Sequence, residues 1–261
     1  MTARASHQPP GGYRFRHLVR MEWIKLRSLR STWLTLALAV CASAGIALAT
    51  GGNTTTGGTF VSYTLVGMLI GVLLTGVAGV LAMTSEYTSG TISATFAAAP
   101  RRLRVLTAKA GVIGAAALVT GEAAAFLSFF AGGMTLRHGI TAPALSQPGV
   151  LRAIVLTGAS LSLTAVFGLG LGAIIRHTAA AITVVVGIVF VGGTFIGQSD
   201  SAIRPYLPLY IVSHSLGATG PACLPGMATC WLSPWSGLGL LAGYAAIAML
   251  LGGLIIARRD A

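Results

Sequence analysis

The chain has 261 residues, of which 54% are hydrophobic and only 8% are charged. A soluble domain needs roughly 25% charged residues to cover its surface, so this composition excludes a soluble protein and predicts an all-α protein with several membrane spans. The formal net charge of +12 would suggest nucleic acid binding in a soluble chain. In a membrane protein the placement of basic residues matters more than their number, and we predict no nucleic acid partner.

The chain begins with a predicted disordered tail over residues 1–13, and residues 14–261 form one predicted membrane domain. Within it, residues 14–31 have the pattern of an amphipathic helix that lies in the membrane interface. Glu22 interrupts the apolar face of this helix, and Lys25 lies three residues further on, within reach of it. The pair is either a surface ion pair of little energy or a contact point for a partner protein, and the sequence leaves both open. The two faces are Phe15, Leu18, Val19, Trp23, Leu26 and Leu29 on the apolar side, and Arg16, Arg20 and Arg27 on the basic side.

Six apolar runs of about 20 residues are long enough to cross a hydrocarbon core roughly 30 Å thick. A cleaved signal peptide is the alternative for the first run, but its leading segment is longer than a signal n-region and is itself patterned. The predicted spans are Thr32–Thr50, Phe60–Met83, Ala110–Met134, Leu151–Ile175, Ala179–Gly197 and Leu238–Ala257.

The basic residues predict the orientation of these spans. With the N-terminus in the cytoplasm, fourteen of the 17 Lys and Arg residues lie in cytoplasmic segments. The outside segments then contain only Arg137, Arg152 and Arg204. We therefore predict both termini on the cytoplasmic side.

Residues 84–109 form a predicted cytoplasmic loop between the second and third spans. Glu86 opens this loop, Gly90 and Pro100 punctuate it, and basic residues crowd its far end. Between Gly90 and Pro100 the spacing of Ile92, Phe96 and Ala99 predicts a short helix with a weakly apolar face. Such a helix would contact either a partner protein or the lipid headgroups. The basic residues are Arg101, Arg102, Arg104 and Lys109.

The long outer loop over residues 198–236 contains five of the ten prolines. Its apolar stretch Tyr206 to Val212 is too short to cross a membrane and predicts a re-entrant or interfacial segment. Cys223 and Cys230 lie in the same loop, and on an oxidising face we expect them to form a disulfide.

The third span contains Glu122, the only carboxylate predicted near the middle of a span. A charge there costs at least a few kcal/mol, so Glu122 should face the bundle interior and either find a partner or hold its proton. One alternative is a structural hydrogen bond to a hydroxyl of the next span, and the other is a place on a substrate path. The candidate hydroxyls are those of Ser160, Ser162 and Thr164.

Signs of catalytic chemistry are sparse. The sequence lacks HExxH, CxxC and Gly-x-Ser-x-Gly motifs, and its five acidic residues are scattered. The phosphate-binding loop of nucleotide hydrolases needs a lysine after glycine, whereas Lys25 and Lys109, the only lysines, follow Ile24 and Ala108. We therefore predict no metal site and no enzymatic activity in this chain.

The chain combines four features: the basic amphipathic segment with EWIKLRSLRS, the six spans, the loop SEYTSGTISATFAAAPRRLRVLTAK, and the long loop before the last span. In this combination the chain resembles the permease subunit of bacterial type-2 ABC exporters. The resemblance covers nearly the whole chain. The Arg-, Ala- and Gly-rich composition of the chain is typical of a GC-rich, actinobacterial genome. The resemblance implies two permease subunits per transporter, as a homodimer or a heterodimer, in the bacterial cytoplasmic membrane. It also implies separate ATP-binding subunits that hold ATP and magnesium, with no cofactor in this chain.

The resemblance further implies that the 84–109 loop carries the coupling helix, that the amphipathic helix flanks it, and that the last outer loop holds short re-entrant helices. The exported substrate would be a drug, antibiotic, peptide or lipid. A membrane-embedded lipid-modifying or hydrolytic enzyme, and a non-transporting immunity or assembly factor, are the alternative functions. The implied partner-coupling residues are Glu22, Lys25, Glu86, Tyr87, Gly90, Thr91, Arg101 and Arg102. In such a transporter, Glu122 is the candidate residue for the substrate path.

Overall fold

The structure is a computed structural model that describes residues 15–28, 30–54, 57–92, 95, 102–136, 140–196, 202–215 and 232–259. Over these residues it is helical and contains no strand. Within this described part of the chain, six helices are long and apolar enough to cross a membrane, which agrees with the predicted number of spans and with a multi-pass membrane protein.

The first helix is amphipathic, as predicted, and the next ones are mostly apolar. The longer helices are α1 (Phe15–Ser28), α2 (Arg30–Gly51), α3 (Gly57–Leu65), α4 (Met68–Thr88), α5 (Arg102–Gly133), α6 (Val150–Ile175), α7 (Thr178–Val186) and α8 (Pro234–Arg259). Span 1 is α2, span 2 runs over Phe60–Thr88 through the end of α3 and all of α4, and span 3 is α5. Span 4 is α6, span 5 runs over Thr178–Ile196 and begins with α7, and span 6 is formed by α8.

Two spans are irregular. Span 2 is interrupted by a turn at Val66 and Gly67, where the Ser43 hydroxyl of α2 donates to the Gly67 carbonyl at 3.2 Å. The same carbonyl also accepts from the backbone N–H groups of Ile70 and Gly71, so the Ser43 hydroxyl adds a contact between α2 and span 2. Span 5 changes from α-helix to π-helix over Gly187–Ile196.

Span 4 is the centre of the bundle, and it packs against spans 2, 3, 5 and 6. Glycines allow the closest approaches, because a Cβ added to Gly168 would collide with the Gly76 backbone of span 2. Gly172 also faces span 2, where an added Cβ would lie 3.2 Å from the Val80 carbonyl oxygen. In contrast, Gly239 and Gly243 of span 6 have nothing within 4 Å of an added Cβ.

The apolar stretch of the loop before span 6 is folded into short helical segments, namely Arg204–Tyr206, Pro208–Tyr210 and Ile211–Ser215. Ile211 and Val212 are buried in the core that spans 2 to 6 share. Tyr244 of α8 donates a hydrogen bond to the Tyr206 carbonyl at 2.8 Å, which ties these segments to span 6.

Candidate functional site

Four charged side chains form a network at the end of the bundle that carries α1. Lys109 donates to Glu22 Oε2 and, at 2.7 Å, to Glu86 Oε1. Lys25 donates to the same Glu86 oxygen at 2.9 Å and lies 3.4 Å from Glu22 Oε1. A third donation, at 3.1 Å, goes from Lys25 to the Thr95 hydroxyl. We call Glu22, Lys25, Glu86 and Lys109 the Lys–Glu network.

The network joins three parts of the chain that are distant in sequence. Glu22 and Lys25 lie on α1, Glu86 lies in the last turn of α4, and Lys109 lies near the start of α5. The helices extend into the predicted 84–109 segment, because α4 continues to Thr88 and α5 begins at Arg102. Glu86 and Lys109 therefore project from two packed helices, which hold them more rigidly than a loop would.

Burial makes this network different from a surface ion pair. Glu22 is 2% exposed, and Glu86 and Lys109 are each 6% exposed, whereas the Lys25 side chain is 32% exposed. Glu22 and Lys25 do pair as expected, but Glu22 is buried, so the pair belongs to a largely buried network and is not an isolated surface ion pair. The contact of this pair with a partner protein stays a prediction. Two ammonium and two carboxylate groups cancel in charge, which is the condition under which buried charges are tolerated.

A cavity of about 390 Å³ adjoins the network. Its polar end is formed by the Lys–Glu network, and its wall is apolar, with Leu26, Val112 and Ile113. Glu86 lines this cavity, and its second oxygen, Oε2, is buried without a hydrogen-bond partner among the described residues. An unsatisfied buried carboxylate oxygen is rare and calls for an occupant or a function.

The other residues expected to couple to a partner lie around the network without joining it. The Arg176 guanidinium, at the C-terminal end of span 4, lies over the Tyr87 ring, 5.3 Å from its centroid. Gly90 has φ +70°, which ends α4 in the left-handed conformation that glycine favours. The Thr91 hydroxyl lies 2.9 Å from the Ser89 hydroxyl.

Arg102 has a role that the sequence did not suggest. Its Nη1 donates to the Ile256 carbonyl at 3.3 Å and so connects the start of α5 to the last turns of α8. Arg101 lies outside the described residues. Of the expected helix between Gly90 and Pro100, Thr91, Ile92 and Thr95 are helical, and the remainder lies outside the described residues.

Glu122 lies in the middle of α5, but the hydroxyl partners expected for it were wrong. Ser160 donates to the Thr157 carbonyl, Ser162 to the Gly114 carbonyl and Thr164 to the Ser160 carbonyl. The Glu122 carboxyl instead packs on Gly158 of span 4, where an added Cβ would lie 2.7 Å from Glu122 Cδ. Its Oε2 is buried and has no hydrogen-bond partner within the described part of the chain.

Sequence reasoning missed Lys109 as a member of the site. A signal was present, because the chain has only two lysines and five acidic residues. Both lysines and two of those acids lie in the segments that flank the first three spans. What the sequence did not show is that α1 folds back onto the ends of α4 and α5. Cys223 and Cys230, the expected disulfide, lie outside the described residues.

Comparison with known proteins adds no assignment: no protein-family model matches the chain, and no curated protein is significantly similar to it.

Proposed function

We propose that this chain is the membrane-spanning permease subunit of an ATP-driven exporter, works as a dimer, and is driven by separate ATP-binding subunits in the cytoplasm. The observation that carries the proposal is the buried Lys–Glu network. It links an amphipathic helix and the polar segment after span 2 to the ends of spans 2 and 3.

The network provides a route for force into the membrane. A push on the segment around residues 89–95 reaches Lys25 through Thr95, and Lys25 bonds Glu86 at the end of α4. Lys109 then connects Glu86 to α5, a continuous helix of 32 residues. Since the Lys109–Glu86 contact is buried and the network is charge-balanced, the helices would move together instead of separating.

The sequence supports a division of labour between subunits. Both lysines of the chain belong to the network, and neither follows a glycine as a phosphate-binding loop requires. In this proposal the energy source is ATP bound by a partner. The exposed residues Ser89 and Thr91 are the sites where that partner would make contact.

Photo-crosslinking in living cells tests the partner. A photoreactive amino acid at Ser89 or Thr91 should capture an ATP-binding protein encoded beside this chain, and the yield should change between ATP and ADP. The control is the same amino acid at Met134, which is 82% exposed at the opposite end of span 3. Failure to capture any nucleotide-binding protein from positions 89 and 91, at normal levels of inserted protein, would exclude this contact.

A charge-balanced double variant tests the coupling role. Glu86→Gln together with Lys109→Met removes one charge of each sign and keeps the side-chain shapes. In the reconstituted transporter we expect ATP hydrolysis to continue while substrate export falls. Equal losses of hydrolysis and export would show instead that the network serves only assembly.

A further inference from the structure

The cavity beside the Lys–Glu network has the features of a binding site. Its volume of about 390 Å³ lies within the range of roughly 300–1,000 Å³ that is typical of ligand pockets. One ordered water occupies about 30 Å³, so a single water would leave most of the space empty. One end of the cavity is charged and the wall is apolar, which suits an amphiphilic ligand.

The hydrogen-bond groups of the network are not fully used. An ammonium has three N–H donors, and Lys25 uses all of its donors on Glu22, Glu86 and Thr95. Lys109 uses two donors, on Glu22 and Glu86, and its third has no partner among the described residues. Glu86 Oε2 likewise has no partner there.

The unused donor and the unused acceptor are adjacent. Lys109 already bonds Oε1 of the same carboxylate whose Oε2 is unpaired, and both residues line the cavity. The terminal torsion of a glutamate is broad, so a small rotation turns Oε2 toward the cavity. Because the network has no net charge, we expect a ligand without net charge. This ligand should have one cationic group with N–H donors for the Glu86 oxygen and one anionic group that accepts from Lys109.

We propose that this cavity binds the phosphoethanolamine headgroup of a phospholipid from the membrane leaflet next to α1. The ligand's primary ammonium would donate to Glu86 Oε2, its phosphate would accept from Lys109, and its acyl chains would extend along the apolar wall. The cavity is bounded by α1, the amphipathic helix, which places it at the depth of lipid headgroups. The inference requires only that the chain lies in a membrane, and it is independent of the exporter proposal.

A lipid competition measures this preference. The purified full-length protein is placed in nanodiscs with equal amounts of phosphatidylethanolamine and phosphatidylcholine, and retained lipids are counted by native mass spectrometry after mild extraction. The two headgroups differ in N-methylation, and the choline headgroup offers no N–H to Glu86. We expect phosphatidylethanolamine to be retained in roughly tenfold excess.

Two variants assign the preference to the cavity. Glu86→Gln should abolish the excess, because the amide lacks the charge that the ammonium needs. Ser85→Phe should also abolish it by filling the cavity, and it leaves the network intact, so it tests the proposal even if the first variant is unstable. The matched control is Thr88→Phe, an exposed position three residues further along α4 that does not line the cavity.

Three results would overturn the proposal. The first is equal retention of both lipids by the wild-type protein, and the second is an unchanged excess in Ser85→Phe. The third is a result in phosphatidylcholine nanodiscs in which soluble glycerophosphoethanolamine binds and added phosphatidylethanolamine lipid does not. This result would mean that the ligand is a free phosphoethanolamine compound and not a membrane lipid.

Discussion

Lys109 Nζ and Glu86 Oε1 lie 2.7 Å apart, on the two helices that flank the polar segment between spans 2 and 3. Each of these residues also bonds a member of α1, so a single pair holds three helices at one point. Removal of either Lys109 or Glu86 leaves one charge of the buried network without an opposite charge to balance it.

Loss of the Lys109 charge should destabilise the protein strongly. We expect Lys109→Met to lower the free energy of unfolding by about 3–5 kcal/mol, because two buried carboxylates lose their common partner. Lys25→Met is the matched control and should cost clearly less, because Lys25 is partly exposed to solvent and Lys109 would still bond both carboxylates. Thermal unfolding of both variants in one detergent compares them. Equal destabilisation would show that Lys109 has no special role.

Substitutions at Gly90 should lower the free energy of unfolding through backbone strain and not through side-chain size. Its φ is +70°, and nothing lies within 4 Å of an added Cβ. Gly90→Ala and Gly90→Leu should therefore cost about the same, roughly 1–2 kcal/mol, and Gly90→Asn should cost less. Gly111→Ala, on the exposed face of α5 with equal space, should instead be neutral or stabilising. Thermal unfolding measures all four, and a progressive loss with side-chain size at position 90 would contradict the explanation.

Glu122 is expected to affect which substrates are exported, a prediction that depends on the proposed function. The hydroxyls that would have made it purely structural are bonded elsewhere, and one of its oxygens is unpaired within the described residues. Glu122→Gln keeps size and removes the charge, so export of cationic compounds should fall while export of neutral ones persists. Transport into vesicles at matched protein levels measures both. Equal export of cationic and neutral substrates by this variant would rule out the charge-based role.

The cysteines can be counted by their reactivity. Cys41 is a free, exposed thiol in span 1. If Cys223 and Cys230 form the expected disulfide, alkylation of the denatured, non-reduced protein should modify one cysteine, and alkylation after reduction should modify three. Cys41→Ala should then give none and two. Three reactive thiols before reduction would end the disulfide hypothesis.

The spans and the amphipathic helix could be predicted from the sequence, because each depends on local patterns. Apolar runs set the six spans, and the spacing of Glu22 and Lys25 predicted their contact. The ends of spans 2 and 3 could not be predicted from hydropathy, because polar residues such as Glu86 extend α4 once Lys25 and Lys109 neutralise them.

The partners of Glu86 and Glu122 could not be predicted for a different reason, since they depend on how helices rotate and approach. Gly158 removes a side chain from span 4, and the Glu122 carboxyl occupies the space. The contact of the Ser43 hydroxyl with the Gly67 carbonyl likewise depends on how closely α2 approaches span 2. The local pattern of the sequence does not indicate which distant residues come into contact.

The spacing of the network along the chain sets an order for its assembly during synthesis. Glu22 and Lys109 are separated by 87 positions, so α1 leaves the ribosome long before its principal charge partner exists. Glu86 and Lys109 are only 23 positions apart, so the hairpin of spans 2 and 3 can close first. Until the third span has been inserted, Glu22 has only Lys25 beside it and must remain hydrated at the membrane surface. Docking of α1 onto α4 and α5 is therefore expected to be a late event, which requires that the first three spans have been correctly inserted.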